Sequence, residues 1–338
     1  MSLPDTLPFP QRVQFHFRAL SKDILAVTLT LFKIMIPALI LIHLLEELGA
    51  IERLSTLLAP AMSWVGLPEA VGIVWATTML TNLYTGILVL VTLPDLSLTT
   101  AQVTVLGCMM LVAHGLPIEA RIAQKAGVRL WATLVLRIGG ALLFGGMLSL
   151  GYHMTGTLQE PFALLWQPEA ISTARPDWLT WAGQQLKALL GIFGIICALI
   201  STLRLLRILR IEQAISWCLA PFLRLLGIGR EAVTITLIGL TLGLSFGGGL
   251  LIREAQAGHV GKDDVFCSMG LLALCHSIIE DTLLILLIGG HLSGIFWGRM
   301  LFALVVILLI SRLLRRLPSA FKFRWLYTPS ATPPGNPH

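Results

Sequence analysis

The sequence predicts an all-α polytopic membrane protein made of two inverted-topology repeats with broken or re-entrant helices. Three observations predict it. Hydrophobic residues make up 56% of the 338 and charged residues only 12%, against roughly 25% charged in an ordinary soluble domain, and the mean hydropathy is +0.83. Several stretches reach the ~20 apolar residues that cross a bilayer. The chain also repeats itself: Ala113-His114-Gly115-Leu116-Pro117-Ile118-Glu119 is answered by Cys275-His276-Ser277-Ile278-Ile279-Glu280-Asp281 at an offset of 162, and Arg137 falls on Arg299 at the same offset.

Ile24 to Leu45 is the first clear span. It is too long for a cleavable signal, carries Lys33 and Pro37, and runs into Glu46-Glu47 where a cleavage site would need small residues. Leu58-Ala59-Pro60 and Gly66-Leu67-Pro68 follow, matched by Leu219-Ala220-Pro221 and Gly227-Ile228-Gly229. Val71 to Leu93 is long enough to span, yet its middle carries the more polar run Thr81-Asn82-Leu83-Tyr84-Thr85-Gly86, whose counterpart is Ser245-Phe246-Gly247-Gly248-Gly249. Three consecutive glycines weaken a helix by roughly 1 kcal/mol each relative to Ala. A break or hairpin tip is expected there, tolerated at membrane depth only where protein or a watery cavity satisfies the backbone. His114-Gly115-Leu116-Pro117 should end or kink a helix, because Pro117 removes a donor and clashes with the preceding turn. That makes two breaks per half. Leu130 to Tyr152, Leu186 to Leu203 and Ile295 to Ile310 are the remaining clear spans, with Gly139-Gly140 and Gly145-Gly146 read as sites of close helix packing.

The repeat divides the chain into an N-terminal arm (1–23), a first repeat (24–153), a linker (154–179), a second repeat (180–316) and a tail (317–338). Basic residues mark the cytoplasmic side: Arg12, Arg18 and Lys22, then Arg204, Arg207 and Arg210, then Arg312, Arg315, Arg316, Lys322 and Arg324. Glu46, Glu47, Glu52 and Glu69, with Glu160, Glu169 and Asp177 of the linker, mark the outside. Both termini are therefore expected in the cytoplasm of a cell bounded by this inner (cytoplasmic) membrane. Each half then crosses an odd net number of times and the repeats are inverted, the arrangement of many secondary transporters, with a site between the repeats. The net charge of +6 is explained by this orientation and calls for no nucleic acid. Cys108, Cys197, Cys218, Cys267 and Cys275 all lie in apolar sequence without a CxxC pair, which argues against disulfides and zinc modules. No cofactor is expected.

Ionisable groups inside apolar sequence are costly, so a site is the default reading of them. His114 and Glu119 are five apart, as are His276 and Asp281, while His276 and Glu280 are four apart and would share a helical face. An imidazole beside a carboxylate can exchange a proton, as a proton-coupled carrier needs. The same pair could ligate a metal, but no second His or Cys lies at ligand spacing within either half except Cys275, so no metal ligand is assigned. A purely structural role, each acid neutralised by Arg137 or Arg299, also stays open. Arg299 could snorkel to the interface; Arg137 is set deeper in apolar sequence and could hold an anion. Asn82, Tyr84 and Ser245 would offer hydrogen bonds at the helix breaks. Lys33, His43 and Lys187 have no counterpart in the other half and read as interface or packing residues, and Cys108, Met109 and Met110 as lining.

The pattern resembles the nucleoside-recognition (Gate) domain membrane proteins. The resemblance rests on Phe32-Lys33-Ile34-Met35-Ile36-Pro37, on Leu58-Ala59-Pro60 with Gly66-Leu67-Pro68, and on the two His/acid segments at His114 and His276. It covers most of residues 25–315 as two fused copies. That family includes spore maturation membrane proteins, and related domains occur in ferrous iron and concentrative nucleoside transporters, so the resemblance implies a transport-associated protein with re-entrant elements. It does not imply a nucleoside substrate. No P-loop or nucleotide-hydrolysing domain is present in the sequence.

These readings converge on a secondary transporter of a small polar solute, nucleoside-like or anionic, driven by protons or another ion. Its substrate or proton site would comprise His114, Glu119, His276, Glu280, Asp281, Arg137, Arg299, Asn82, Tyr84 and Ser245. Its partners would be that solute or ion and the lipid bilayer, with a homodimer among the assemblies open to it. A non-transporting scaffold or accessory subunit and a divalent metal permease are the alternatives. An enzyme is not expected, since no Ser/His/Asp elbow, HExxH or paired-Asp motif is present.

Overall fold

The computed structural model describes residues 9–93, 96–162, 178–209 and 211–328. The start of the arm, most of the linker with Trp166, and the end of the tail lie outside the described residues, as does the side chain of Ser245. The protein is an all-α, multi-pass membrane protein. Among the described residues four helices are long and apolar enough to cross a membrane, Arg18–Leu45, Leu130–Thr155, Trp178–Leu206 and Ser293–Arg316, and two bent helix pairs raise the number to six. The four clear spans of the sequence fall within these four helices.

The two halves share much of one order of elements, with the short helix Leu130–Leu134 lacking a counterpart in the second. Helix α1 (Phe9–Glu47) is long, α2 (Ala50–Trp64) carries Pro60, and α3 (Gly72–Leu80) and α4 (Leu83–Thr92) flank a break. Helices α5 (Thr100–Val112) and α6 (Leu116–Ala126) flank a second break, and α7 (Leu130–Leu134) runs through a π-turn at Val135–Gly139 into α8 (Gly140–Thr155). In the second half, α9 (Trp178–Ile208) is long and α10 (Ile211–Leu225) carries Pro221. Helices α11 (Arg230–Leu242) and α12 (Leu244–Gln256) flank one break, α13 (Lys262–Leu274) and α14 (Glu280–Leu287) another. A π-turn at Ser293–Gly298 then leads into α15 (Arg299–Arg316).

The breaks at Thr81-Asn82 and at Ala113–Gly115 lie where the polar run and the His-Gly-Leu-Pro segment put them. Gly115 takes the left-handed conformation, φ +56, which only glycine adopts without strain. The break of the second half corrects the expectation at Ser245–Gly249. It sits earlier, at Gly243 with φ +92, and the three glycines are helical within α12. Helix-weakening glycines survive there because α12 folds back along α11. A Cβ on Gly247 would lie 2.6 Å from the Gly239 backbone nitrogen, so absence of a side chain permits the contact. Gly86 faces Thr78 in the same way across the first break. Residues equidistant from each break touch, so α3–α4 and α11–α12 are helical hairpins whose tips are Thr81-Asn82 and Gly243.

Each hairpin meets the broken helix of its own half. The Gly115 N–H donates to Thr78 O at 3.1 Å and the Ile278 N–H to Leu240 O at 2.9 Å, which supplies the partners that exposed backbone at membrane depth requires. Each hairpin also reaches the other half: the Tyr84 hydroxyl donates to Glu280 Oε1 at 3.4 Å, and Gly248 packs against Ile122 of α6. Gly140, Gly145 and Gly146 make close contacts with Leu274, Met109 and Trp64, as close helix packing requires, whereas Gly139 has no such neighbour.

Local pairings tie down the periphery. Strands β1 (Leu98–Thr99) and β2 (Pro161–Phe162) form a short antiparallel clip. His43 stacks on Trp181 with ring centres 4.4 Å apart and meets Trp178 edge-on at 4.5 Å, joining α1 to α9 as a packing residue. After α16 (Ser319–Trp325) the chain bridges back to Val128. There Lys322 Nζ donates to Asp263 at 2.8 Å and the Tyr327 hydroxyl donates to the same carboxylate. Burial first, and then that acceptor, raise the Tyr327 pKa and keep the phenol protonated.

Candidate functional site

His114 and His276 each sit inside a helix break, not on a helix. The expected shared helical face of His276 and Glu280 is therefore not formed, because α14 begins only at Glu280. The reason is local. The chain takes a positive φ at Gly115 and again at Ser277, and each turn swings the preceding histidine out of the helix axis toward the other half.

Both imidazoles are anchored identically. His114 Nδ1 donates to Met110 O at 3.1 Å and His276 Nδ1 to Leu272 O at 2.6 Å. A carbonyl oxygen only accepts, so each Nδ1 carries the hydrogen and each neutral ring presents an unshared pair at Nε2. Those two Nε2 atoms face one another at 3.1 Å. Glu119 Oε1 lies 3.2 Å from the first and 3.4 Å from the second. Two lone pairs and a carboxylate oxygen converging at these distances repel unless positive charge lies among them.

The surrounding groups are also doubled. Arg137 pairs with the other Glu119 oxygen and donates through Nε to Val112 O at 2.8 Å. Arg299 donates through Nε to Leu274 O at 3.1 Å and through Nη2 to His276 O at 2.9 Å, and lies 3.5 Å from Asp281 Oδ2. Arg137 is 0% exposed and Arg299 1%, so Arg299 does not snorkel to an interface. Each guanidinium holds the carbonyl at the end of a broken helix, an orphan acceptor that the break itself creates. Arg137 Nη2, Arg299 Nη1 and Asp281 Oδ2 are buried without a hydrogen-bond partner among the described residues.

Of the expected site residues, the structure brings His114, His276, Glu119, Asp281, Arg137 and Arg299 together, with Glu280 at the first turn of α14 held by Tyr84. Asn82 stands apart as a helix cap: its Oδ1 accepts from the Thr85 N–H at 3.0 Å. Cys108, Met109 and Met110 are fully buried packing residues, and only the Met110 carbonyl enters the site. The sequence reading missed the backbone oxygens of Met110, Leu272, Val112 and Leu274. Their signal is the recurrence of a fixed distance, four residues before each histidine and twenty-five before each arginine.

A ligand set for a metal ion is also present that neither half holds alone. His114, His276 and Asp281 each place a ligand atom within 4.8 Å of the others. Neither half has the ligands at a metal-binding spacing in sequence, but the fold draws one histidine from each.

The sequence matches known proteins accordingly. The Gate family profile, described as nucleoside recognition, matches residues 28–129. The uncharacterized membrane protein YvoD of Bacillus subtilis (strain 168) is 30% identical over 268 residues, covering 78% of this chain and 83% of that protein. With two thirds and more of each chain in common and the Gate profile on its first half, this protein belongs to the nucleoside-recognition (Gate) family of membrane proteins.

Proposed function

We propose that this protein is a secondary transporter of a small solute, coupled to a cation gradient, whose two halves (24–153 and 180–316) are inverted Gate repeats of the inner membrane with both termini in the cytoplasm. The observation that carries the reading is the pair of Nε2 lone pairs at 3.1 Å with Glu119 Oε1 beside them. A proton on one ring, donated across to its neighbour, or a cation seated between them removes the repulsion, and either is a positive charge that the site can take up and release. Its ligands come from opposite halves, so relative motion of the halves would make and break the site, which is what a carrier requires. Glu119 and Asp281 balance Arg137 and Arg299, which leaves Glu280 as the acid available to balance an added cation.

The test is uptake by proteoliposomes loaded against proton and sodium gradients, screened over nucleosides, small organic anions and divalent ions. Glu119→Gln combined with Asp281→Asn should reduce uptake at least about tenfold, the effect of ~1.4 kcal/mol at the site, at unchanged membrane expression. Unaltered uptake would sink the assignment. The scaffold reading has one specific observation in its favour: Arg137 and Arg299 each tie down the end of a broken helix. It predicts that the double variant loses thermal stability in detergent and that no gradient drives flux in the wild type.

A further inference from the structure

We propose that the cation held by the two histidines is a divalent transition-metal ion of tetrahedral preference, of the zinc class, bound by His114 Nε2, His276 Nε2, Glu119 Oε1 and a carboxylate oxygen of Asp281. The inference rests on the transport reading only in calling that ion the cargo. The site stands on its own geometry. The three mutual separations of the first three ligand atoms are 3.1, 3.2 and 3.4 Å, a nearly equilateral triangle. Ligands ~2.0 Å from a tetrahedral ion lie roughly 3.3 Å apart, whereas square-planar or octahedral coordination at the same bond length draws neighbours to roughly 2.9 Å. The triangle matches one face of a coordination tetrahedron in size.

The fourth corner has a candidate. Asp281 places a ligand atom within 4.8 Å of those of both histidines, wider than the tetrahedral edge, so it would close in on the ion; its Oδ2 accepts no hydrogen bond among the described residues, and it is 6% exposed. The second layer is what a metal site needs. Each histidine donates its other ring nitrogen's hydrogen to a backbone carbonyl, which fixes the tautomer that leaves Nε2 free, and Arg137 holds the Glu119 carboxylate while the Arg299 charge lies 3.5 Å from Asp281. Two imidazole donors disfavour magnesium and calcium, which take oxygen ligands. The absence of thiolate distinguishes the set from closed structural zinc sites, where cysteine predominates.

The experiment is a titration of the purified full-length protein in nanodiscs with Co2+, read by its visible d–d absorption, which is strong only in tetrahedral surroundings. The expected result is one Co2+ per chain with a tetrahedral spectrum that Zn2+ abolishes. His276→Gln and His114→Gln should each weaken Co2+ binding on the order of 100-fold or more, at or above the loss typical of outer-layer changes, while the exposed His153→Gln leaves it unchanged. Because a histidine variant could fail to fold, Asp281→Asn is measured in parallel. It keeps the shape of the side chain, and it should retain a three-ligand Co2+ spectrum with altered band positions. No tetrahedral band in the wild type, or a band that survives both histidine substitutions, would overturn the proposal. The two readings fail separately. A proton or solute flux lost in Glu119→Gln without any metal signal overturns the metal inference and leaves the transporter, and a metal signal without Zn2+ or Co2+ uptake upholds the site and removes the cargo role.

Discussion

At the tip of the first hairpin Asn82 does with a side chain what Gly243 does at the second with backbone alone. Its Oδ1 accepts from the N–H and the hydroxyl of Thr85, closing the N-terminus of α4, whereas Gly243 caps α12 without a side-chain bond. An N-cap is worth about 1 kcal/mol. Asn82→Ala should therefore lower thermal stability by about that much, and Asn82→Ser should restore most of it; equal melting temperatures for the three proteins would place the cap elsewhere. The same scale shows what was legible in the sequence. His114, His276, Arg137 and Arg299 stood out because polar atoms in apolar sequence need a reason. That the two Nε2 atoms would meet did not stand out. Helical spacing orders residues along one element and carries no information about which element of the other half it faces.

Among the elements, the hairpins explain why glycine runs misled the reading. Composition alone weighs Gly247, Gly248 and Gly249 equally as helix weakeners, yet they occupy different surroundings. Gly247 lies against the Gly239 backbone, while Gly249 has no atom within 4 Å of its would-be Cβ. Gly247→Ala should force α11 and α12 apart at a cost of about 1–3 kcal/mol, the range for overpacking, because a backbone neighbour cannot rotate away. Gly249→Ala should be neutral or stabilising by up to about 1 kcal/mol through helix propensity. Melting temperatures of the two variants in detergent decide it: equal shifts would mean that the hairpin does not close as described. The break moved to Gly243 for the same reason, since a positive φ was needed where α12 turns back and the three glycines were needed where it packs. The Pro117 break, by contrast, was legible because proline's missing donor is a local property that no packing partner can restore.

For the whole molecule, the decisive question is whether the centre opens. His276 is 3% exposed and its neighbour Cys275 2%, and Cys275 lines a small apolar cavity with Leu240, Ile278 and Met300. A carrier must at some stage admit water to this place from one side and then from the other, whereas a scaffold has no cause to. A variant retaining Cys275 with Cys108, Cys197, Cys218 and Cys267 changed to Ala makes the thiol a reporter. In proteoliposomes a charged, membrane-impermeant thiol reagent should react slowly at rest and several-fold faster once a proton gradient and a divalent ion are imposed together. Adding Glu119→Gln should abolish the acceleration without altering the resting rate, because that substitution removes the ligand that senses the ion and leaves the thiol's packing intact. A rate indifferent to gradient, ion and Glu119 alike would mean that the doubled His, acid and Arg set locks the two halves into one rigid body, and the arginine bonds to Val112 O and Leu274 O would then be its principal purpose.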